Sequence, residues 1–362
     1  MTSFAERIDR ARSAMEAAEI DAMCLSSGSD LPYLTGYRAP ESERVTMLVL
    51  DPDGGATLVI PTLEAPRVAS TGGVFDLYDW GETDDPIAII DGLLGNARHV
   101  AVGGQTWSRF TLALQSRSGR RSWVDAEPIM SGLRIVKSAD EIARLRAAAS
   151  SVDRVVSELE TVRFSGRTEV DVAHEITERT MKAGHDSVEF CIVASGPNAA
   201  SPHHTPSKRI ITHRDAVVVD FGGSLDGYYS DTTRTFVVGE PPDGFREAYT
   251  VLRAAQESAT AFVEPGRTAA EVDAHARDLI ESAGYGDRFI HRLGHGIGLD
   301  VHERPYLVEG DDTVLTTGMV FSIEPGIYVP EEWGMRIEDI VAVTDGGSES
   351  LNTSDRAYRV VS

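Results

Sequence analysis

The sequence predicts two domains, a small α/β domain followed by a larger α+β domain. Helix-like and strand-like segments alternate over the first 130 residues, which is typical of an α/β domain with a mixed sheet. After a break near residues 128–138, a capped helix is followed by apolar strands that run into acidic residues. A chain of 362 residues, 41% of them hydrophobic, is long and apolar enough to build both cores.

The elements of the first domain are predicted from hydrophobic spacing and turn residues. Apolar residues at helical spacing indicate a helix over residues 4–19. Apolar runs indicate strands at residues 21–25, 46–50, 57–60 and 99–102, and further helices are expected near residue 28 and over residues 107–115. We expect Pro128–Gly132 to break any regular structure, so that the second domain begins after it.

Helix start signals recur in the second domain. Ser138, with Glu141 three residues later, forms a capping-box pattern that predicts a helix to about Glu160. Similar caps occur at Thr168 and Thr268, and each is preceded by a short loop that contains glycine. This parallel suggests two similar halves, each with a pair of helices followed by strands.

Charge and composition exclude several classes of partner. The net charge of −23 argues against nucleic acid and against an anionic membrane surface, because both are bound through Lys and Arg. The sequence has no run of eighteen apolar residues and no secretion signal at its start. Cys24 and Cys191 are expected to be unpaired thiols, so the sequence predicts a cytoplasmic protein.

Two aspartates lie eleven residues apart around glycine-rich turn signals. Asp220 follows the apolar run Val217–Val219, and Asp231 follows Gly222-Gly223 and Asp226-Gly227, so we expect a β-hairpin with both acids near one end. A single Asp at a strand end is usually a turn cap. A carboxylate that ends so apolar a strand needs a partner, because isolated buried charge is costly, and a metal ion is a natural one.

Two glutamates follow the same pattern near the end of the chain. Glu324 ends an apolar strand before Pro325, and Glu338 lies in a run that is expected to continue as a strand to Val343. Alternation along that strand places Arg336 on the same face as Glu338, where it can orient a metal ligand. The alternative is a surface salt bridge.

Histidines near these acids suit a metal hydrolase. His295 lies between two glycines, where the backbone can approach a site closely. His203, His291 and His302 lie in suggestive positions, and a hydrolase needs donors for a carbonyl oxygen and for the oxyanion formed from it. A lone histidine is more often structural, and we interpret the remaining ones in that way.

These motifs together resemble those of the pita-bread metallopeptidases, which include methionine aminopeptidase, prolidase and aminopeptidase P, with creatinase as a metal-free relative. The matching strings lie within residues 135–362, and Tyr33–Tyr37 resembles the smaller domain of prolidase and creatinase. The resemblance implies an α/β creatinase/prolidase-like domain over residues 1–130, followed by an α+β pita-bread catalytic domain over residues 135–362. One departure is His213-Arg214-Asp215, where the family usually has Gly-Asp, and we expect little consequence from it.

The resemblance also implies roles for the site residues. Asp220 would bind one of two divalent ions, His295 and Glu324 mainly the other, and Asp231 and Glu338 would bridge them. Glu324 would also act as general base, while His203, His291 and His302 would handle the substrate. Oxygen-rich ligation favours Mn²⁺, with Co²⁺ or Zn²⁺ as alternatives.

The implied function is that of a metal-dependent exopeptidase. It would hydrolyse the Xaa-Pro bond of dipeptides or short peptides through a metal-bridging hydroxide. Residues 1–130 would mediate a homodimer and line the substrate entrance. The sequence leaves two alternatives open: a non-peptidase metalloenzyme on the same scaffold, such as a lyase or a creatinase-like hydrolase, and a non-catalytic binding protein.

Overall fold

The computed structural model describes residues 3–68 and 74–362. The chain divides into two compact units: unit 1 ends at Arg134 and unit 2 covers Ile135–Ser362. Within the described ranges, no helix combines the length and the apolar character needed to cross a membrane.

Unit 1 is built around a mixed sheet. Its helices are α1 (Phe4–Ala17), α2 (Asp30–Thr35), α3 (Pro86–Leu94), α4 (Ser108–Arg117) and α5 (Glu127–Arg134). Its strands are β1 (Ala22–Leu25), β2 (Met47–Leu50), β3 (Ala56–Pro61), β4 (Asp76–Trp80), β5 (His99–Val102) and β6 (Ser122–Asp125). They are ordered β4-β3-β2-β1-β5-β6, with β2 antiparallel to both of its neighbours and β5 parallel to both of its own. The predicted α/β domain and its mixed sheet are therefore confirmed, while β4, β6 and α3 were not predicted.

The predicted break at Pro128–Gly132 is wrong, because helix α5 covers this segment. Pro128 is the second residue of the helix, where its missing N–H is not needed for a helical hydrogen bond. The side chain of Asp125 accepts a hydrogen bond from the backbone N–H of Glu127 at 3.0 Å. Ile129, Met130 and Leu133 are buried along one face, so packing outweighs the weak helix propensity of the glycine.

In unit 2, a pair of helices packs on one face of each of two main sheets. Its helices are α6 (Ala139–Leu159), α7 (Glu169–Lys182), α8 (Phe245–Phe262) and α9 (Ala269–Ser282). Its strands are β7 (Ser187–Ser195), β8 (Ala216–Leu225), β9 (Tyr228–Val238), β10 (Gly294–Gly296), β11 (Glu303–Leu307), β12 (Val320–Ile323), β13 (Gly326–Val329), β14 (Trp333–Arg336), β15 (Asp339–Thr344), β16 (Gly347–Ser350) and β17 (Arg359–Val361). They form the sheets β17-β9-β8-β7 and β11-β10-β12-β15-β16 and the hairpin β13-β14. The predicted capping boxes at Ser138, Thr168 and Thr268 begin α6, α7 and α9.

The two halves of unit 2 repeat the same local structure, as their helix caps suggest. The N–H of Gly166, before α7, donates to the carbonyl of Ile211 at 2.9 Å. The N–H of Gly266, before α9, donates to the carbonyl of Leu315 at the same distance. In the first half α6 and α7 pack on the β7–β9 sheet, and in the second half α8 and α9 pack on the β10–β12–β15 sheet.

The predicted hairpin around Asp220 and Asp231 is formed by β8 and β9, but its details differ from the prediction. Only Asp226-Gly227 forms the turn, with positive φ at both residues, as a two-residue hairpin loop requires. Gly222 lies inside β8, where a Cβ atom would come within 2.1 Å of the Ser230 carbonyl oxygen. The close approach of β9, rather than a turn, therefore requires glycine at this position. Strand β8 continues past Asp220, which lies in the middle of the strand.

The predicted continuous strand through Glu338 is also wrong. It is interrupted at Ile337-Glu338, between β14 and β15. The first part pairs with β13 and the second part with β12, so the chain changes partners at this point. The interruption leaves the N–H of Glu338 to donate to the carbonyl of Thr233 at 3.1 Å, which ties the glutamate to β9.

Arg214, which stands where the resembled family usually has glycine, has an unfavourable backbone conformation. Arg214 has φ of 69°, the left-handed conformation that glycine adopts without strain. Its N–H donates to the carbonyl of Val238 at 2.8 Å, which holds the turn before β8.

Candidate active site

Strand alternation places the two aspartate side chains on the face of the sheet that is opposite the helices. Val217, Val219 and Phe221 of β8 are buried in the core beneath α6 and α7, so Asp220 projects from the opposite face of the sheet. Asp231 of β9 pairs with Gly222, which lies two residues beyond Asp220 in β8. Both side chains are nearly inaccessible to solvent.

The second half brings His295 and Glu324 to the same place. His295 Nε2 lies 3.2 Å from Glu324 Oε1 and 3.6 Å from Asp231 Oδ2. The hydroxyl of Ser322 accepts the N–H of His295 and donates to Glu324 Oε1, both at 3.0 Å. One serine on β12 therefore fixes both residues.

Glu338 completes the cluster and is held by a threonine. The Thr233 hydroxyl donates to Glu338 Oε2 at 2.8 Å and accepts from Arg336 Nε at 3.0 Å. Arg336 Nη2 donates to Asp220 Oδ2 at 2.7 Å. Arg336 is only 2% exposed, so the alternative of a surface salt bridge is wrong.

The arrangement fits divalent cations. Asp231, His295 and Glu338 each offer a ligand atom, and these atoms lie within 4.8 Å of one another. Among the described residues, Asp220 Oδ1 and Asp231 Oδ1 are buried without a hydrogen-bond partner. Buried acceptors without donors are costly, and cations among them would satisfy these oxygens.

The electrostatics of the carboxylates support the same conclusion. Burial, and then repulsion from the neighbouring carboxylates, raises the pKa of Asp231 and of Glu338 well above their usual values. Burial also raises the pKa of Asp220, although Arg336 opposes this shift. Burial opposes ionisation of Glu324 as well, but contact with His295 outweighs it and lowers the pKa of Glu324 to about 2. Four anions are stable together here only with positive charge among them.

One of the predicted substrate histidines, His302, contacts this cluster. The His302 ring packs edge-on against His295, with 4.1 Å between ring centroids. Burial and the neighbouring His295 lower the pKa of His302 to about 4, so it is neutral at pH 7. His203 is exposed, on the loop before β8.

The hydrogen bonds of His291 fix its tautomer. His291 Nδ1 lies 2.8 Å from the carbonyl of Arg292, which can only accept, so Nδ1 carries the proton. Nε2 then accepts from the Tyr328 hydroxyl at 2.9 Å, and that hydroxyl accepts from Arg336 Nη1 at 2.7 Å. Burial lowers the pKa of His291 to about 4, in agreement with a neutral ring.

Sequence reasoning missed three residues that hold the cluster. Thr233 could have been found, because alternation places it on the same face of the strand as Asp231. Ser322 could have been found in the same way, two residues before Glu324. Tyr328 gave no signal, since its hydroxyl reaches Arg336 only through the pairing of β13 with β14.

Comparison with known proteins agrees with this geometry. Residues 143–345, more than half of the chain, match metallopeptidase family M24. Residues 7–136 match the creatinase/prolidase N-terminal domain. The chain belongs to metallopeptidase family M24. Membership in this family implies divalent metal ions, for which the cluster supplies carboxylate and imidazole donors. It also confirms the predicted fold class and the predicted resemblance.

Several M24 relatives align over nearly the full length. The probable dipeptidase PepE of Mycobacterium tuberculosis is 42% identical over 99% of this chain and 96% of its own. An Xaa-Pro dipeptidase from Lactobacillus helveticus is 34% identical over 98% of each chain. The solved structure of dipeptidase PepE from Mycobacterium ulcerans has a TM-score of 0.93 at 42% identity, covering 99% of this chain and 98% of its own. A prolidase from Thermococcus sibiricus has a TM-score of 0.95 at 34% identity, covering all of both chains.

Proposed function

We propose that this M24 protein is a dipeptidase that hydrolyses Xaa-Pro dipeptides with two divalent metal ions. The observation that carries the proposal is the buried cluster in which Asp231, His295 and Glu338 converge, with Asp220 and Glu324 beside them. The names of the relatives support the substrate class, since one is an Xaa-Pro dipeptidase and another a probable dipeptidase.

The ligand roles are proposed from the resemblance to the family. Asp231 and Glu338 would be the ligands shared by both ions. Asp220 would serve one ion, and His295 with Glu324 mainly the other. Four carboxylates balance the charge of two divalent ions, and the predominance of oxygen donors favours Mn²⁺ over Zn²⁺. Bound divalent ions would lower the pKa of a water molecule and polarise the scissile carbonyl.

Glu324 is the carboxylate best placed to accept a proton. Its side chain is 16% exposed, against 10% for Asp220 and 5% for Asp231, so water can reach it most easily. Its low pKa keeps it ionised at neutral pH, which a general base requires. It would take the proton from the attacking water and pass it to the leaving amine.

The histidines would bind the reacting peptide. His302 is neutral and lies against His295, where it can donate a hydrogen bond to the oxyanion that develops on the scissile carbonyl. We assign the flanking carbonyl to His203, because both ring nitrogens of His291 already have partners. His291 would then hold Tyr328 and Arg336 in place.

Assembly and location complete the proposal. Unit 1 contains none of the proposed site residues, and Leu77, Tyr78 and Val124 on its outer strands β4 and β6 are all more than 40% exposed. We propose that residues 1–130 mediate a homodimer and narrow the entrance to the metals, which would favour short peptides. Both cysteines are free, which supports a reducing cytoplasm.

Hydrolysis by chelator-stripped protein with Mn²⁺ added back tests the proposal. We expect Leu-Pro to be cleaved faster than Leu-Pro-Ala, with no activity before Mn²⁺ is added and about two Mn²⁺ per chain at saturation. Equal cleavage of Leu-Ala and Leu-Pro would indicate a general dipeptidase, as the name of the PepE relatives allows. Turnover of creatine without any peptide cleavage would support the creatinase-like alternative instead.

The dimer is tested separately by light scattering. We expect the full-length protein in solution to have a mass twice that of a single chain. A monomer that cleaves Leu-Pro at the full rate would overturn the required dimer and leave the metal site unaffected.

A further inference from the structure

The fully buried carboxylate of Glu169 accepts hydrogen bonds from several residues of one loop in unit 2. Glu169 is the first residue of α7, and its side chain is 0% exposed. Its oxygens accept hydrogen bonds from the backbone N–H and hydroxyl groups of Ser195 and Ser207, the amide of Asn198 and the ring Nε2 of His204, at distances of 2.7–3.2 Å. The bonds go to both ends of residues 195–207 and to the residue next to His203.

The loop held in this way is mostly irregular. It contains one short 3-10 turn over Gly196–Ala200 and is otherwise irregular. The side chain of His203 is exposed. Arg336 Nη1 donates to the carbonyl of Pro202 at 3.3 Å, and Arg336 also binds Asp220. The loop is therefore linked to the carboxylate cluster at the residue before His203. Its position relative to the cluster therefore depends on what holds residues 195–207.

The repeat within unit 2 shows that the framework itself does not need a carboxylate at this place. The N–H of Glu169 donates to the carbonyl of Arg209, and the N–H of Ala269, first residue of α9, donates in the same way to Thr313. The second half thus forms the same helix start with alanine. The carboxylate is peculiar to the half that carries His203.

We propose that Glu169 is a positioning residue, which holds the loop of residues 195–207 so that His203 can bind the substrate. The inference rests on the proposed function of His203, but the placement of the loop is a separate claim. Glu169 acts as an anion: burial opposes its ionisation, yet the donors from Ser207, Ser195, Asn198 and His204 outweigh burial and lower its pKa to about 2. The loop is therefore held in the same way throughout the neutral pH range.

Glu169→Gln tests the placement directly, because its NH₂ group would replace one accepting carboxylate oxygen and face donors there. We expect the backbone amides of Ser195 and Ser207 to exchange with deuterium faster. We also expect the NMR signals of the His203 ring to shift, while those of His295 stay in place. Ser207→Ala, which removes one donor, should give the same changes at smaller size if Glu169→Gln folds poorly. Unchanged exchange and an unchanged His203 signal in both variants would overturn the proposal.

A double-mutant cycle tests the link to catalysis. Glu169→Gln should lower kcat/KM for Leu-Pro about tenfold or more, since a displacement on the order of 1 Å can cost about a hundredfold. In a His203→Ala background the same substitution should change kcat/KM by less than about twofold, because the two residues would act as one unit. Multiplicative effects would overturn the link to His203, because Glu169 would then affect kcat/KM independently of that residue.

Asp153→Asn provides the matched control. Asp153 is another buried carboxylate of unit 2, and it accepts hydrogen bonds from Asn352 and Thr353, away from the loop of His203. We expect it to lower the melting temperature and to leave kcat/KM and the His203 signal unchanged. Wild-type protein that cleaved no peptide would overturn the proposed function, and the exchange measurement would still decide the placement of the loop.

Discussion

Thr233→Val would separate the support of the metal ligands from the stability of the sheet. The two side chains have nearly the same shape, and Thr233 is fully buried, so the substitution mainly removes the hydroxyl. That hydroxyl donates to Glu338 Oε2 at 2.8 Å and accepts from Arg336 Nε at 3.0 Å. It therefore links a proposed ligand to the arginine that is bound to Asp220.

The size of the effect follows from these two hydrogen bonds. Both involve a charged group, and such bonds contribute about 1.5–3 kcal/mol each. Losing a group that orients a metal ligand typically weakens metal binding about 10- to 100-fold, which corresponds to about 1.4–2.7 kcal/mol. We expect Thr233→Val to raise the Kd for Mn²⁺ within that range, as measured by calorimetric titration of chelator-stripped protein.

Thr235→Val is the matched control on the same face of β9. Thr235 is also fully buried, and its hydroxyl also makes two hydrogen bonds, but both go to the backbone of Arg336. It should lower the melting temperature of the metal-free protein, with a Kd for Mn²⁺ within about threefold of wild type. Equal weakening of metal binding by both variants would refute the reasoning, since a general loosening of β9 would then explain the effect.

Four further outcomes are expected. Asp231→Asn should abolish Mn²⁺-dependent activity yet raise the melting temperature in chelator, because it removes a buried charge that its neighbours repel. His302→Ala should retain bound Mn²⁺ by elemental analysis and lower kcat about a hundredfold, the effect of losing one oxyanion donor. Glu169 should contribute about 3 kcal/mol of stability above pH 4.5 that is lost as pH falls towards 2, so urea unfolding of wild type and Glu169→Gln should converge in acid. Arg214→Gly should raise the melting temperature by a few degrees by relieving about 1 kcal/mol of left-handed strain, since the ion pair of Arg214 with Asp243 is exposed and contributes little.

The sequence predicted those features that depend on local patterns. Capping boxes at Ser138, Thr168 and Thr268 located three helices, because a cap is a short-range interaction between residues three apart. The acids that the structure brings together were also singled out in the sequence, two of them because Asp220 and Glu324 each end an apolar run. Asp226-Gly227 identified the hairpin because Asp-Gly is a local turn signal that needs no distant contact.

Features that depend on distant contacts were not predicted. Gly222 was interpreted as part of a turn, whereas its role is to let β9 approach β8, which only the pairing reveals. The interruption at Ile337-Glu338 arises because the strand changes partners there, and helix α5 forms because its apolar face is buried. In each case packing decided between two local conformations of similar intrinsic free energy.

The repeated halves explain why the site needs both of them and why they have diverged. Each half supplies two acids, so four carboxylates meet at one place, where they repel one another and need cations among them. The repeat fixes the positions of the ligands, but the surrounding hydrogen bonds differ. Ser322 links His295 and Glu324 in the second half, while Arg336 reaches across to Asp220 and Pro202 in the first. Substrate handling can therefore change through residues such as Glu169 while the metal ligands stay the same.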